Sequence, residues 1–216
     1  MDKLYLGDCL DVMQTLDDDS IDFIFTSPPY NRKRNDKYSK FNDVNDNYYE
    51  LLSKVIDIGM NKSKYIFLNL QKNYYNKQDV FNIIGNYANN IIDIIIWSKS
   101  NPMPASGFNV TNAYEFILIL SSKTKSIKAQ KTYTKNHINT SVYSENPYKK
   151  IHRAVMKPAV VEWFIERFTK ENDIVLDPFL GLGTTAIECA RANRRYIGIE
   201  LNEHYYNIAC KRINDI

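Results

Sequence analysis

Ser27-Pro28-Pro29-Tyr30 places a hydroxyl, two φ-fixing rings and an aromatic side chain in consecutive positions. Such a loop suits a planar amine. The Ser27 hydroxyl and the Pro28 carbonyl can each accept a hydrogen bond, and consecutive prolines remove N–H donors that would compete. Tyr30 adds a flat face, and stacking of a ring on an aromatic is worth roughly 1–3 kcal/mol. Far downstream lies Asp177-Pro178-Phe179-Leu180-Gly181-Leu182-Gly183-Thr184-Thr185. Gly181 and Gly183 permit a tight turn and close backbone approach to a ligand, and Thr184-Thr185 open a helix whose amides point into the turn. Glu200 follows Gly183 by 17 residues at the end of the next strand, where an acid commonly holds ribose hydroxyls. The third glycine of a dinucleotide fingerprint is absent, as is the Gly-Lys-Ser/Thr of a phosphate-gripping loop.

The elements that must position these residues read as an α/β alternation. Strands are predicted at Lys3 to Leu6, Ile21 to Thr26, Lys64 to Leu70, Ile91 to Trp97, Tyr114 to Leu120, Ile174 to Leu176 and Arg195 to Ile199. Helices are predicted near Leu10 to Leu16, Tyr48 to Ile58 with Asp46 or Asn47 as N-cap, Gln78 to Tyr87, Pro158 to Phe168, Thr184 to Ala192 and His204 to Ile213. Seven strands with helical crossovers imply one three-layer Rossmann-like α/β sheet, mostly parallel with an antiparallel edge strand. Residues 121–153 have little periodicity and read as an irregular insertion in a single domain spanning 1–216.

A chain of 216 residues with 44% hydrophobic residues can fill one such core. No apolar run follows a basic start, and the longest runs, Ile94 to Trp97 and Phe116 to Leu120, are too short to span a bilayer. Cys9, Cys189 and Cys210 are odd in number and lack metal-type spacing, so they read as reduced, buried side chains of a cytoplasmic protein. His137, His152 and His204 complete no metal cluster, and no metal is expected. Net charge is only +3, but Lys123 to Arg153 holds eight Lys/Arg against Glu145, +7 on a body of −4. A basic insert on a mildly acidic body suits a polyanion, although a solvated Lys-rich loop reads the same way.

The two motifs, in this order, resemble those of the amino-methylating DNA methyltransferases of the circularly permuted (β) group, and the resemblance covers nearly the whole chain. It implies S-adenosylmethionine as cofactor, held by Asp177, Phe179, Gly181, Gly183, Thr184, Thr185 and Glu200. Gly7-Asp8-Cys9 resembles the family's third motif, whose aspartate approaches the adenine side, although Asp8 also reads as the N-cap of the first helix. Lys157-Pro158 resembles the start of the helix before the cofactor strand, which adds Lys157. Leu182 departs from the serine usual at its position. Ser27, Pro28, Pro29 and Tyr30 are then the catalytic residues, acting on the exocyclic amine of a base swung out of double-stranded DNA. No Cys nucleophile accompanies a proline, so transfer is direct. Ser27 favours N4 of cytosine over N6 of adenine. Trp97-Ser98-Lys99-Ser100-Asn101-Pro102 and Tyr114-Glu115-Phe116-Ile117-Leu118 match paired late strands and receive no catalytic role.

DNA contacts are expected from Arg32, Lys33, Arg34, Lys37 and Lys40 beside Asp36, and from the basic insert, with Gln130, Asn136, Asn139 or Asn146 as base readers. A short insert implies a short target or a homodimer that shares recognition, and a cognate restriction endonuclease is the implied partner. RNA or protein-glutamine methylation is the alternative of like chemistry, though those enzymes usually place the cofactor motif first. A non-catalytic DNA-binding subunit is the other.

Overall fold

Ile21–Thr26 (β2) and Ser63–Leu70 (β3) are apolar in near-continuous runs, as strands covered by helices on both faces must be. The computed structural model describes residues 2–32, 45–105, 107, 109–142, 146–148, 151–152 and 154–216. In it β2 and β3 run parallel, with Phe23 opposite Tyr65 and Thr26 opposite Leu68. Lys3–Leu6 (β1), Ile91–Lys99 (β4), Tyr114–Leu120 (β5), His137–Thr140 (β6), Ile174–Asp177 (β7) and Arg195–Glu200 (β8) join them. Among the described residues these form one sheet in the order β1-β8-β7-β2-β3-β5-β4-β6.

A mostly parallel sheet with an antiparallel part is what forms, but it has eight strands rather than seven. The extra strand, β6, lies inside the segment expected to be irregular. Its four residues, His-Ile-Asn-Thr, are too short and polar to show a period. It forms because the outer edge of β4 offers open backbone groups, and pairs parallel from Ile96–His137 to Lys99–Thr140. The Trp97 indole N–H fastens the join by donating to Thr140 Oγ1 at 2.9 Å. The reversed strand is also not at the edge. β5 runs antiparallel to both β3 and β4, so it sits inside the sheet.

Cys9–Thr15 (α1), Tyr48–Lys62 (α2) and Lys77–Asn86 (α3) pack an aliphatic layer on one face, with Met13, Leu52 and Ile56 against Ile24, Ile66 and Leu118. Pro158–Phe168 (α4) and Thr184–Arg191 (α5) cover the other, which is rich in phenylalanine. Phe164 stacks on Phe25 at 4.5 Å and meets Phe67 at 4.7 Å, so one side chain binds α4 to two central strands. Glu203–Asn214 (α6) packs Ala209 against Leu180 and Ala186. Of the three cysteines, Cys9 and Cys189 are buried and Cys210 is half-buried.

Gly183 stands at the N-terminus of α5 with φ +84°, and a Cβ there would lie 3.1 Å from Ala209 Cβ. Both the left-handed backbone and the close approach of α6 demand glycine. Gly183→Ala is expected to destabilise the protein by about 1–3 kcal/mol. Urea unfolding measures this, and an unchanged midpoint would show that α6 yields without cost.

Candidate active site

Chain direction across the sheet switches between β7 and β2. From β7 the chain steps outward to β8, and from β2 it steps the other way to β3. Loops leaving the carboxyl ends of two such strands diverge and leave a crevice between them. Here that crevice is a cavity of about 410 Å³. Ser27-Pro28-Pro29-Tyr30 leaves β2 and Asp177 to Thr185 leaves β7, so the two motifs line one space.

Asp177 ties the halves together. Thr26 Oγ1 donates to its Oδ1 and Thr185 Oγ1 to its Oδ2, each at 2.6 Å, and the Phe179 amide adds a third bond at 3.1 Å. Burial pushes the Asp177 carboxyl above its ordinary pKa, while the two hydroxyls and the amide pull the other way. Glu200, at the end of β8, accepts the Gly181 amide at 2.7 Å and the Asn202 amide at 2.8 Å. Burial raises its pKa too, against the same two amides. The Gly7 amide bonds Glu200 O at 3.0 Å and brings Asp8 alongside. Asp8 fits both of its readings, because it caps α1 through the Leu10 amide at 2.7 Å and lines the cavity.

Phe179, Gly181, Thr184 and Thr185 line the cavity as well. Gly181 has φ +57°, and a Cβ added there would meet nothing nearer than His152 Nε2 at 3.9 Å, so its open side faces the space. Gly183 does not line it, since its surroundings belong to α6. Lys157 is not brought there either. Its ammonium donates to Ser141 O at 2.7 Å and Ser141 Oγ at 2.9 Å, holding the chain that leaves β6. Its neighbours Val155 and Met156 line the cavity instead. Cys9 also lines it, but burial pushes its thiol up to about 12, which keeps it protonated and poorly nucleophilic.

The Ser27–Tyr30 loop is held from behind by residues to which the sequence assigned no role at the site. Asn73 Nδ2 and Asn76 Nδ2 donate to the Tyr30 carbonyl at 2.7 and 2.8 Å. The Tyr30 hydroxyl donates to Glu115 Oε2 at 3.0 Å and lies 2.9 Å from Ser27 Oγ. Asn69 Nδ2 reaches Glu115 Oε2 at 2.7 Å, Tyr30 Oη at 3.1 Å and Ser27 Oγ at 3.2 Å. Lys99 Nζ pairs with the other oxygen of Glu115. Asn69 Oδ1 is buried without a partner among the described residues, a cost of about 1–3 kcal/mol that this orientation of the amide imposes. The hint in the sequence was a polar residue inside each apolar run, Asn69 in β3 and Glu115 in β5, since a buried charge must find a partner. The Arg32 guanidinium lies 5.3 Å from the Tyr30 ring centroid and bonds the Gln71 side chain.

The basic residues divide. Lys123 bonds the carbonyls of Asn61 and Ser63, Lys125 that of Asn89, and Lys131 pairs with Glu166 at 2.5 Å. These partners lie at the amino ends of β3 and β4 and the last turns of α2 and α4, opposite the cavity. Gln130 is there too, its backbone N–H donating to Arg167 O. Asn139 lies in β6 opposite Ser98, and Asn136 bonds Asp93. Asn146 is spent on a turn, accepting the Tyr148 amide and donating to His152 O. Lys33, Arg34, Asp36, Lys37, Lys40, Glu145, Lys149, Lys150 and Arg153 lie outside the described residues.

A family model described as DNA methylase matches residues 21–211. The type II methyltransferase M.HinfI of Haemophilus influenzae is 30% identical over 251 aligned residues, covering all of this chain and 69% of that protein. M.Cfr9I of Citrobacter freundii is 33% identical over 128 residues, 55% of this chain and 43% of its own length. Among solved structures, the cytosine-N4-specific PvuII DNA methyltransferase superposes with a TM-score of 0.78 at 20% identity, over 99% of this chain and 90% of that one. The M1.HpyAVI–SAM complex does so at 0.72 and 27% identity, over 99% and 100%. No described helix is long and apolar enough to cross a membrane.

His152 lines the cavity with its ring packed on Tyr205 at 4.9 Å, and burial lowers its pKa from 6.5 to about 4. Between those values the unfolded chain binds the extra proton, so this residue's contribution is fully present above about 6.5 and lost as pH falls toward 4. His152→Gln is therefore expected to lose less stability than the parent between about pH 7 and pH 4.5. Urea midpoints at both pH values test this, and parallel losses would remove the assignment.

Proposed function

This chain belongs to the DNA methylase family, as an S-adenosylmethionine-dependent DNA methyltransferase, and we propose that Ser27 Oγ and the Pro28 carbonyl grip the target amine. The observation that carries this reading is the single cavity at the switch point, lined by the Pro-Pro loop on one side and the glycine turn on the other. DNA as substrate takes the place of the RNA and protein-glutamine alternatives.

The cavity fits the cofactor by the chemistry of its walls. Phe179, Pro28 and Ile199 offer apolar surface for a flat purine, and the Glu200 and Asp8 carboxylates offer acceptors for hydroxyl and amino groups. With Asp177 they make a negative surround suited to a cation, and Gly181 leaves the turn open to a polar tail. When bound, the cofactor supplies an electrophilic methyl group on a cationic sulfur.

The chain's own task is to make a poor nucleophile competent. The lone pair of an exocyclic amine is delocalised into its ring, so the enzyme must accept both N–H bonds and hold the nitrogen toward tetrahedral geometry. Ser27 and Pro28 supply these two acceptors, and Tyr30 supplies the wall of the base pocket. Serine at the first motif position supports N4 of cytosine as the acceptor. β6 runs toward the cavity side of the sheet, and we assign DNA recognition to the part of the 121–153 insertion that follows it. A cytoplasmic location, a homodimer sharing recognition and a cognate restriction endonuclease complete the proposal.

Incubation with labelled S-adenosylmethionine and unmethylated duplex DNA, followed by nucleoside mass spectrometry, is expected to give N4-methylcytosine. N6-methyladenine would overturn the base assignment. Ser27→Ala is expected to slow methyl transfer at least about 100-fold with cofactor affinity nearly unchanged. Glu200→Ala should weaken cofactor binding instead, read by calorimetry, and equal loss of both properties in Ser27→Ala would sink its assigned role.

A further inference from the structure

We propose that Glu115 and Lys99 are positioning residues which, through the Tyr30 hydroxyl, fix the direction of the hydrogen bonds at Ser27 so that its oxygen meets the amine only as an acceptor. The proposal rests on Ser27 gripping the amine. A wall for a flat base needs only the ring of Tyr30, yet the hydroxyl is buried in a network that reaches from the cavity to the β4–β5 hairpin. Phenylalanine would line the cavity equally well. The hydroxyl therefore has some other task.

Counting protons identifies that task. Glu115 is 3% exposed and paired with Lys99, and a carboxylate has no proton to give. The Tyr30 hydroxyl, its oxygen 3.0 Å from Glu115 Oε2, must point its proton there. Burial, and next the charge of Glu115, hold the Tyr30 phenol well above its ordinary pKa, so it stays neutral with one proton, already spent. Tyr30 Oη can then only accept from Ser27 Oγ, 2.9 Å away. Ser27 in turn has one proton, now directed inward, and toward the cavity it shows only lone pairs. Asn69 Nδ2, within reach of Glu115, Tyr30 and Ser27, has two N–H groups and no lone pair to offer, so it accepts no proton from this network and leaves the order unchanged. The protons of Ser27 and Tyr30 thus both point away from the cavity, toward the Glu115 carboxylate that Lys99 meets from its other side. Without Glu115, the Tyr30 proton can turn to Ser27, and the Ser27 proton can turn outward and face the amine donor to donor.

The experiment is single-turnover methyl transfer at saturating cofactor and duplex DNA, with cofactor affinity and thermal melting measured on each protein. Tyr30→Phe keeps the ring and is expected to lose roughly 10-fold in rate, about the worth of one net hydrogen bond, with cofactor affinity unchanged. Glu115→Gln is expected to lose a similar factor. The double variant should be no slower than Tyr30→Phe, because both changes act through one hydroxyl. Should Glu115→Gln fail to fold, its combination with Lys99→Met removes both charges together and serves in its place. A Tyr30→Phe enzyme as fast as the parent would overturn the proposal, as would losses that multiply in the double variant. Ser27→Ala run alongside separates the two failures. If it is slow while Tyr30→Phe is fast, only this proposal falls, and if both are fast, the grip itself is wrong.

Discussion

Everything in the cavity depends on one buried carboxylate. Asp177 receives hydroxyls from Thr26 and Thr185, one at the end of β2 and one in the first turn of α5. Thr26 stands 151 positions from Asp177 along the chain, so the bond closes a very long loop and sets the spacing of the two motif-bearing strands. A carboxylate stripped of water is costly unless its oxygens are filled, and here two hydroxyls and an amide fill them. The Ser27–Tyr30 loop and the glycine turn are thereby held at a fixed separation, which the proposed direct transfer requires.

The two rims are stiffened by different means. On the glycine-turn side the means are mainly backbone geometry, two left-handed glycines and the Glu200 carboxylate across the turn. On the Pro-Pro side they are side chains: Asn73 and Asn76 behind the Tyr30 carbonyl, and the Glu115 network behind its hydroxyl. Asn31 and Asn45, 14 positions apart, exchange two hydrogen bonds just beyond the loop. A Pro-Pro loop cannot anchor itself through its own amides, so its fixation has to come from neighbouring loops.

Much of this was legible in the sequence because its signals are local. Double proline, a glycine pair before Thr-Thr, and apolar runs bounded by turns each fix short-range backbone geometry. The six helices fell where their patterns put them, to within a few residues at their ends. What was not legible depends on partners distant in sequence. β6 exists only because β4 has an open edge, and the interior place of β5 follows from a pairing with β3 that no local pattern encodes. The asparagines behind Tyr30 are inconspicuous in an asparagine-rich chain. The charge of the insert read as one patch, yet Lys123, Lys125 and Lys131 are spent on the far rim of the sheet, since composition does not say which way a lysine turns.

Strand order also sets an order of assembly. As the chain is synthesised, β2, β3, β4 and β5 emerge with the groups that clamp Tyr30, so the half that carries the Pro-Pro loop has its contacts early. β1 has β8 as its sheet partner, and the other edge of β2 waits for β7. The half that carries the glycine turn is thus the last to be built, with β7 and β8 closing the gap between strands made long before. Closure across such separations is slow, and until it happens two strand edges stand open. The nascent chain, rather than the finished enzyme, is the species most exposed to aggregation.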